Sequence, residues 1–153
     1  MAEDFVDVMG RSHRHTIVLD WDGTCVEAKW PEMGDWMPGA TAALRTMHEA
    51  GLKLLVFSAR LNPYDPFTMM RREPAEVQAK YLEVRHKLDE AGLTFVDIWK
   101  LEGKPGGTVY VDDRAERYHG RPGSWKALAE KILLRCGKEI SETPVFDQDV
   151  PDE

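Results

Sequence analysis

The chain lacks several things that would decide its class at once. No stretch is apolar for long enough to cross a bilayer. The opening "MAEDFVDVMGRSHRH" is acidic and has no apolar core of the secretory kind, so no signal peptide is expected and the cytoplasm is the expected compartment. Only two cysteines are present, Cys25 and Cys136. Two are too few for a disulfide framework, and both read as free thiols. No internal repeat or low-complexity tract stands out. Basic residues are missing altogether after Lys138, where "EISETPVFDQDVPDE" carries six acids. With that tail and the three acids of the first nine residues set aside, the net charge of −7 becomes about +2 for residues 10–138. Overall acidity is therefore weak evidence against an anionic substrate. At 153 residues the chain is long enough for one domain with a real core. The expected division is an N-terminal arm over 1–14, a folded domain over 15–137 and an acidic tail over 138–153.

What is present alternates between two kinds of segment. "HTIVLD" (15–20), "LKLLVFSA" (52–59), "LTFVDIW" (93–99) and "GTVYVDD" (107–113) read as strands. Between and after them, helices are expected over 38–51, 73–92 and 124–137. The first shares Leu44, Met47 and His48 on one face. The second places Val77, Tyr81, Val84 and Leu88 at helical spacing, and the third has Ser124 as its expected N-cap. Gly51, Gly92 and Gly137 are the expected stops. Apolar strands without alternation, separated by helices, predict an α/β fold: a doubly wound, mostly parallel sheet with helices on both faces. In such sheets ligands bind at the carboxyl ends of the strands.

Those ends are where the polar residues gather. "TIVLDWDGT" runs from an apolar strand into Asp20 and Asp22, followed by Gly23 and Thr24. "VYVDDRA" ends a second apolar strand in Asp112 and Asp113. Alone, an Asp-x-Asp pair also reads as an N-cap or Asx-turn leaving a strand. Two such endings on one rim bring carboxylates together, and that is hard to stabilise without a hard cation. Asp20, Asp22, Asp112 and Asp113 are therefore the candidate metal residues, and an oxygen-only set favours Mg²⁺ over zinc. Ser58 closes the second strand on the same rim. Cys25 adjoins the carboxylates, but a small packing residue is the simpler reading. "EGKPGGT" fails the Walker pattern, since Pro105 stands where Ser or Thr is needed.

In chain order, Asp20-x-Asp22-Gly23-Thr24, Ser58, Lys104 and the Asp112–Asp113 pair resemble the four motifs of the haloacid dehalogenase superfamily of phosphatases, over residues 15–137. Within it, "WPEMGDWMPGA" and "GKPGGTVYVDDRA" resemble a short phage and bacterial subgroup. "SAR" and "DDR" resemble the phosphatase half of phage polynucleotide kinase–phosphatase. The resemblance implies a Rossmann-like core. It implies Asp20 as nucleophile, Asp22 as general acid and base, and Ser58 and Lys104 as neutralisers of phosphoryl charge. Mg²⁺ would be held by Asp20, the Asp22 carbonyl and Asp113, with Asp112 in reach. Gly23 and Thr24 would line the phosphate site. Lys100 is a rival to Lys104, because the link from the third strand to the fourth is short and carries no helix. Trp21 stands where Phe, Leu or Met is commoner. Arg60 reads equally as a bidentate grip on phosphate or as a salt bridge to a nearby helix.

The gaps 25–37 and 100–103 are too short for the superfamily's inserted cap domains, so a capless, open site is expected. The implied substrate is a small phosphomonoester. The alternative is a nucleic-acid 3′-phosphate, gripped by Arg60, Arg71, Arg72, Arg114 and Arg117 and stacked on Trp30 or Trp36. A non-catalytic phosphate- or metal-binding module is a third reading. A response-regulator receiver has its acidic residues in a different strand order.

Overall fold

The computed structural model describes residues 15–138; the expected N-terminal arm and nearly all of the acidic tail lie outside them. Its sheet is organised around β1 (Thr16–Leu19), whose four residues are all buried. Such a strand needs neighbours on both edges and cover on both faces. On one edge it pairs in parallel with β2 (Lys53–Val56), Ile17 facing Leu54 and Leu19 facing Val56. On the other it pairs in parallel with β4 (Val109–Val111), Ile17 facing Val109 and Leu19 facing Val111. β3 (Asp97–Ile98) joins the outer side of β2, so the order is β3-β2-β1-β4 with every pairing parallel.

Side chains alternate along a strand, so Ile17, Leu19, Leu54 and Val56 share a face. They form one apolar cluster with Leu44 of α1 (Ala40–Glu49) and with Val84 and Leu88 of α2 (Pro74–Glu90). The helical spacing expected for α2 is met: Val84 and Leu88 are fully buried, and Val77 and Tyr81 half-buried. Both helices end as expected. Leu52 N–H reaches the Met47 carbonyl at 3.1 Å and Leu93 N–H the Leu88 carbonyl at 2.9 Å, across Gly51 and Gly92 at positive φ. On the opposite face Val18 is also buried, and the chain entering β4 runs so close that a Cβ on Gly107 would lie 2.6 Å from Val18 Cγ2. β4 is the outer strand, and its three residues stay exposed.

Two expectations need correction. The third strand was expected over 93–99 but is only two residues long. Leu93–Val96 turns instead, and Arg85 of α2 takes the Val96 and Leu93 carbonyls at 2.7 and 3.2 Å. Those carbonyls are thereby withheld from a neighbouring strand. Ser124 was expected to cap the last helix. α3 (Ser124–Arg135) is capped by Gly123 at φ 78, and the Ser124 hydroxyl accepts from Arg121 N–H at 2.9 Å.

The chain divides into two compact units, Met1–Asp113 and Arg114–Glu153. The sheet, α1 and α2 belong to the first. α3 belongs to the second, where Glu116 accepts from Lys131 and Arg135 at 2.6 and 3.1 Å. Among the described residues no helix is long and apolar enough to cross a membrane.

If the α2 face anchors the sheet as described, truncating it empties the core. Leu88→Ala is expected to destabilise the protein by about 2–5 kcal/mol in denaturant unfolding, whereas Leu82→Ala on the exposed side changes it by less than about 0.5 kcal/mol.

Candidate metal and phosphate site

The chain builds outward from β1 to β2 and β3, then returns to place β4 on β1's other edge. That reversal opens a crevice at the carboxyl ends of β1 and β4, the usual ligand position in such sheets. Asp20 leaves β1 there and Asp112 and Asp113 leave β4. One carboxylate oxygen from each lies within 4.8 Å of the others. The Asp20 N–H donates to the Val111 carbonyl at 2.9 Å, which carries the pairing to the first residue past the strand.

The turn after Asp20 is tight. The Trp21 carbonyl accepts from the N–H groups of Thr24, Cys25 and Val26 at 3.1, 2.9 and 3.2 Å. The Trp21 side chain is fully buried in the core and packs edge-on against Trp36 at 5.4 Å, so packing explains this unusual residue. Gly23 has φ +85, and a Cβ there would come within 2.6 Å of Asp113 Oδ2. Only glycine lets the turn pass this close to the carboxylate. Thr24 ties the two strand ends together. Its hydroxyl accepts from Asp113 N–H at 3.2 Å, with Asp20 Oδ2 and Asp113 Oδ1 at 3.3 and 3.4 Å as alternative acceptors for its proton.

Asp20 shares its site with two other carboxylates, and like charges this close disfavour its ionisation. The Asp20 pKa is pushed up to about 6. Burial is the largest cause. The Trp21 N–H opposes it, and the charges of Asp112 and Asp113 add to it. The buried Cys25 thiol is pushed up to about 12, by burial first and then by Asp20, so it is no nucleophile at neutral pH.

A cavity of about 480 Å³ opens over Asp20, Ser58 and Asp112, walled by Phe57, Tyr64 and Trp99. Its lining includes Glu102 but no lysine, arginine or histidine. The donor set is hard, anionic oxygen throughout, which suits a divalent cation and gives a soft metal no sulfur or imidazole. Ser58 lies at the end of β2, where its Oγ accepts from Arg60 N–H at 3.1 Å and caps a short 3₁₀ turn over Ala59–Leu61.

The other expected residues lie elsewhere. The Asp22 carboxylate is not one of the three clustered groups. Both its oxygens accept from Arg60, at 3.0 and 2.5 Å. Arg60 also donates to the carbonyls of Pro31 and Glu32, each at 2.8 Å, and its side chain is wholly buried. Of the two readings of Arg60, the geometry is that of a structural ion pair. Its main partner is Asp22, with Glu83 of α2 only at 3.9 Å. Lys104 extends over the ring of Tyr110 at 4.2 Å and Lys100 over the ring of Tyr81 at 3.9 Å, and neither lines the cavity. Sequence reasoning did not single out Tyr64 or Trp99 as walls, or Thr24 as the link between Asp20 and Asp113. The resemblance gave Thr24 a place at the phosphate site, with no sign of its bond to Asp113.

No family model matches the chain, and neither does any curated protein. Among solved structures, a conserved protein from Bacteroides thetaiotaomicron aligns with 22% identity and a TM-score of 0.46, over 82% of this chain and 93% of the other.

The Asp20 shift has a stability consequence in the metal-free protein. A carboxyl whose pKa is raised in the folded state holds its proton more tightly there than in the unfolded chain. The stabilisation is fully present below the ordinary value of 3.8 and is lost as pH rises through about 6. In chelator, the unfolding midpoint of the wild type is expected to fall relative to Asp20→Asn from about pH 4 to about pH 7. Millimolar Mg²⁺ should restore it in the wild type alone.

Proposed function

We propose that the protein is a Mg²⁺-dependent phosphomonoesterase of haloacid dehalogenase type, acting on a small phosphorylated molecule through an aspartyl-phosphate intermediate. One observation carries this reading: three carboxylates converge, and two of them, Asp20 and Asp112, line a cavity with Ser58 that has no cationic side chain among its described lining residues. Asp20, Asp112 and Asp113 would hold the cation, with the main-chain carbonyl of Asp22 as the resemblance implies. When bound, it supplies the positive charge that lets a carboxylate approach an anionic phosphate.

The chain's own residues divide the remaining work. An Asp20 oxygen forms a bond to phosphorus while the ester P–O bond breaks, and the leaving oxygen takes a proton from Asp22. Water then attacks phosphorus, Asp22 takes its proton, and phosphate leaves as Asp20 is freed. Ser58 accepts from the Arg60 N–H, which leaves its own proton to donate to a phosphoryl oxygen. To serve as acid Asp22 needs one of its two oxygens released from Arg60, the other staying on the guanidinium, because both accept from it. Lys104 is the phosphate lysine of choice. It follows Gly103, which lines the cavity, and its stem is long enough to swing from Tyr110.

A small substrate is favoured over a polynucleotide end. Two of the arginines that would hold backbone phosphates, Arg60 and Arg72, are buried on protein acceptors. The Arg72 Nη1 lies 3.1–3.3 Å from the carbonyls of Ala59, Arg60 and Asn62.

Asp20→Asn is expected to abolish hydrolysis of an aryl phosphate in Mg²⁺ while circular dichroism shows an intact fold. Wild-type turnover by that variant would refute the assignment. Asp22→Asn is expected to slow an alkyl phosphate by about 10²–10⁴-fold and 4-nitrophenyl phosphate far less, since only the poorer leaving group needs the proton. Steady-state kinetics on the two esters checks this.

A further inference from the structure

A second cavity, of about 280 Å³, lies against the first and shares Leu61 and Pro63 with it. The two differ in charge. The first is lined by Asp20, Glu102 and Asp112. The second is lined by Arg71, Arg72 and Lys100 and by no carboxylate. Segment 99–102 helps to divide them: Trp99, Leu101 and Glu102 line the first, and Lys100 between them lines the second.

The three cations are not equivalent. Arg72 is buried, spends its Nη1 on backbone carbonyls and has Asp65 at 3.7 Å from Nη2, so its charge is already offset. Arg71 is exposed, and among the described residues its guanidinium has no ion-pair partner. Among them Lys100 has no carboxylate partner either, and its ammonium rests on the ring of Tyr81, a contact that holds the charge at the cavity without neutralising it. Pro74, Val77 and Tyr81 supply an apolar floor. Two cations with no counter-ion among the described residues, set over an apolar floor, form a receptor for an anionic oxygen group.

We infer that this cavity binds a second anionic group of the substrate, so that the preferred substrate is a small phosphomonoester carrying a distal phosphate or carboxylate, held by Arg71 and Lys100. The inference rests on the phosphomonoesterase reading for its substrate, though not for its binding site. The reacting phosphate lies over Asp20, the distal anion lies past the Leu61–Pro63 wall, and the spacer between them crosses it.

The test compares alkyl monophosphates with alkanediol bisphosphates and ω-phosphoalkanoates of graded chain length, and reads the ratio of kcat/KM values. The wild type is expected to prefer either bis-anion at one chain length. Arg71→Gln should lower that ratio by about tenfold, mainly through KM, and adding Lys100→Gln should lower it further. A preference for the bisphosphate identifies the distal group as phosphate, and a preference for the phosphoalkanoate identifies it as carboxylate. Equal activity on mono- and bis-anions, or a ratio unmoved by both substitutions, overturns the subsite and leaves the phosphatase standing. If no phosphomonoester is hydrolysed, the catalytic reading fails, and titration with inorganic phosphate in chelator decides the subsite. A saturable NMR shift of the Gln78 and Tyr81 amides, lost in the double variant, supports it; no saturable shift in the wild type overturns it.

Discussion

A guanidinium withdrawn from water needs an acceptor for nearly every N–H it carries. Arg60 finds them in the Asp22 carboxylate and in the carbonyls of Pro31 and Glu32. These come from the turn after β1 and the flap that follows it, while Arg60 itself comes from the 3₁₀ turn after β2. One side chain therefore sets the distance between the turn carrying the carboxylates and the segment carrying Ser58. Arg72 does the same from the far end of the loop, gathering the carbonyls of Ala59, Arg60 and Asn62. Such pairs are costly to break from one side only, because the partner left behind is a buried, uncompensated charge. The site is held by its arginines, while burial and two neighbouring carboxylates leave the charge on Asp20 incompletely stabilised.

That incompleteness is local. Asp20 is held by burial and by two neighbouring carboxylates in an environment that penalises its charge. Across the Leu61–Pro63 wall the imbalance has the opposite sign. Proteins usually cancel such imbalances internally, as Glu116 does with Lys131 and Arg135 in the second unit. Where environments of opposite sign lie side by side, they mark a candidate ligand site.

Much of this was legible in the sequence, for identifiable reasons. Apolar runs ending in acids located β1 and β4. Helical spacing located the buried face of α2, and the glycines after α1 and α2 marked their ends. Those signals are local, and local signals survive folding. What failed depended on contacts distant in the chain. β3 shrank because Arg85 takes carbonyls that a longer strand would need. Arg60 could be read as a phosphate ligand or as a structural ion, and only its partner 38 positions away separates the two. The lysines were ambiguous because a long, flexible side chain in a short link says little about where its charge rests. The resemblance places Thr24 at the phosphate site; that its hydroxyl also joins two strand ends 89 residues apart is a contact no local pattern carries.

The close passage of Gly23 beside Asp113 has a consequence for descent. A side chain at position 23 and a carboxylate at its present place are mutually exclusive, because a Cβ would sit 2.6 Å from Asp113 Oδ2. A copy of this gene that drifted to any larger residue there would keep its strands and helices, whose contacts lie elsewhere. It would displace the third carboxylate and open the cluster. The glycine is thus a one-letter record of whether the three carboxylates can still converge.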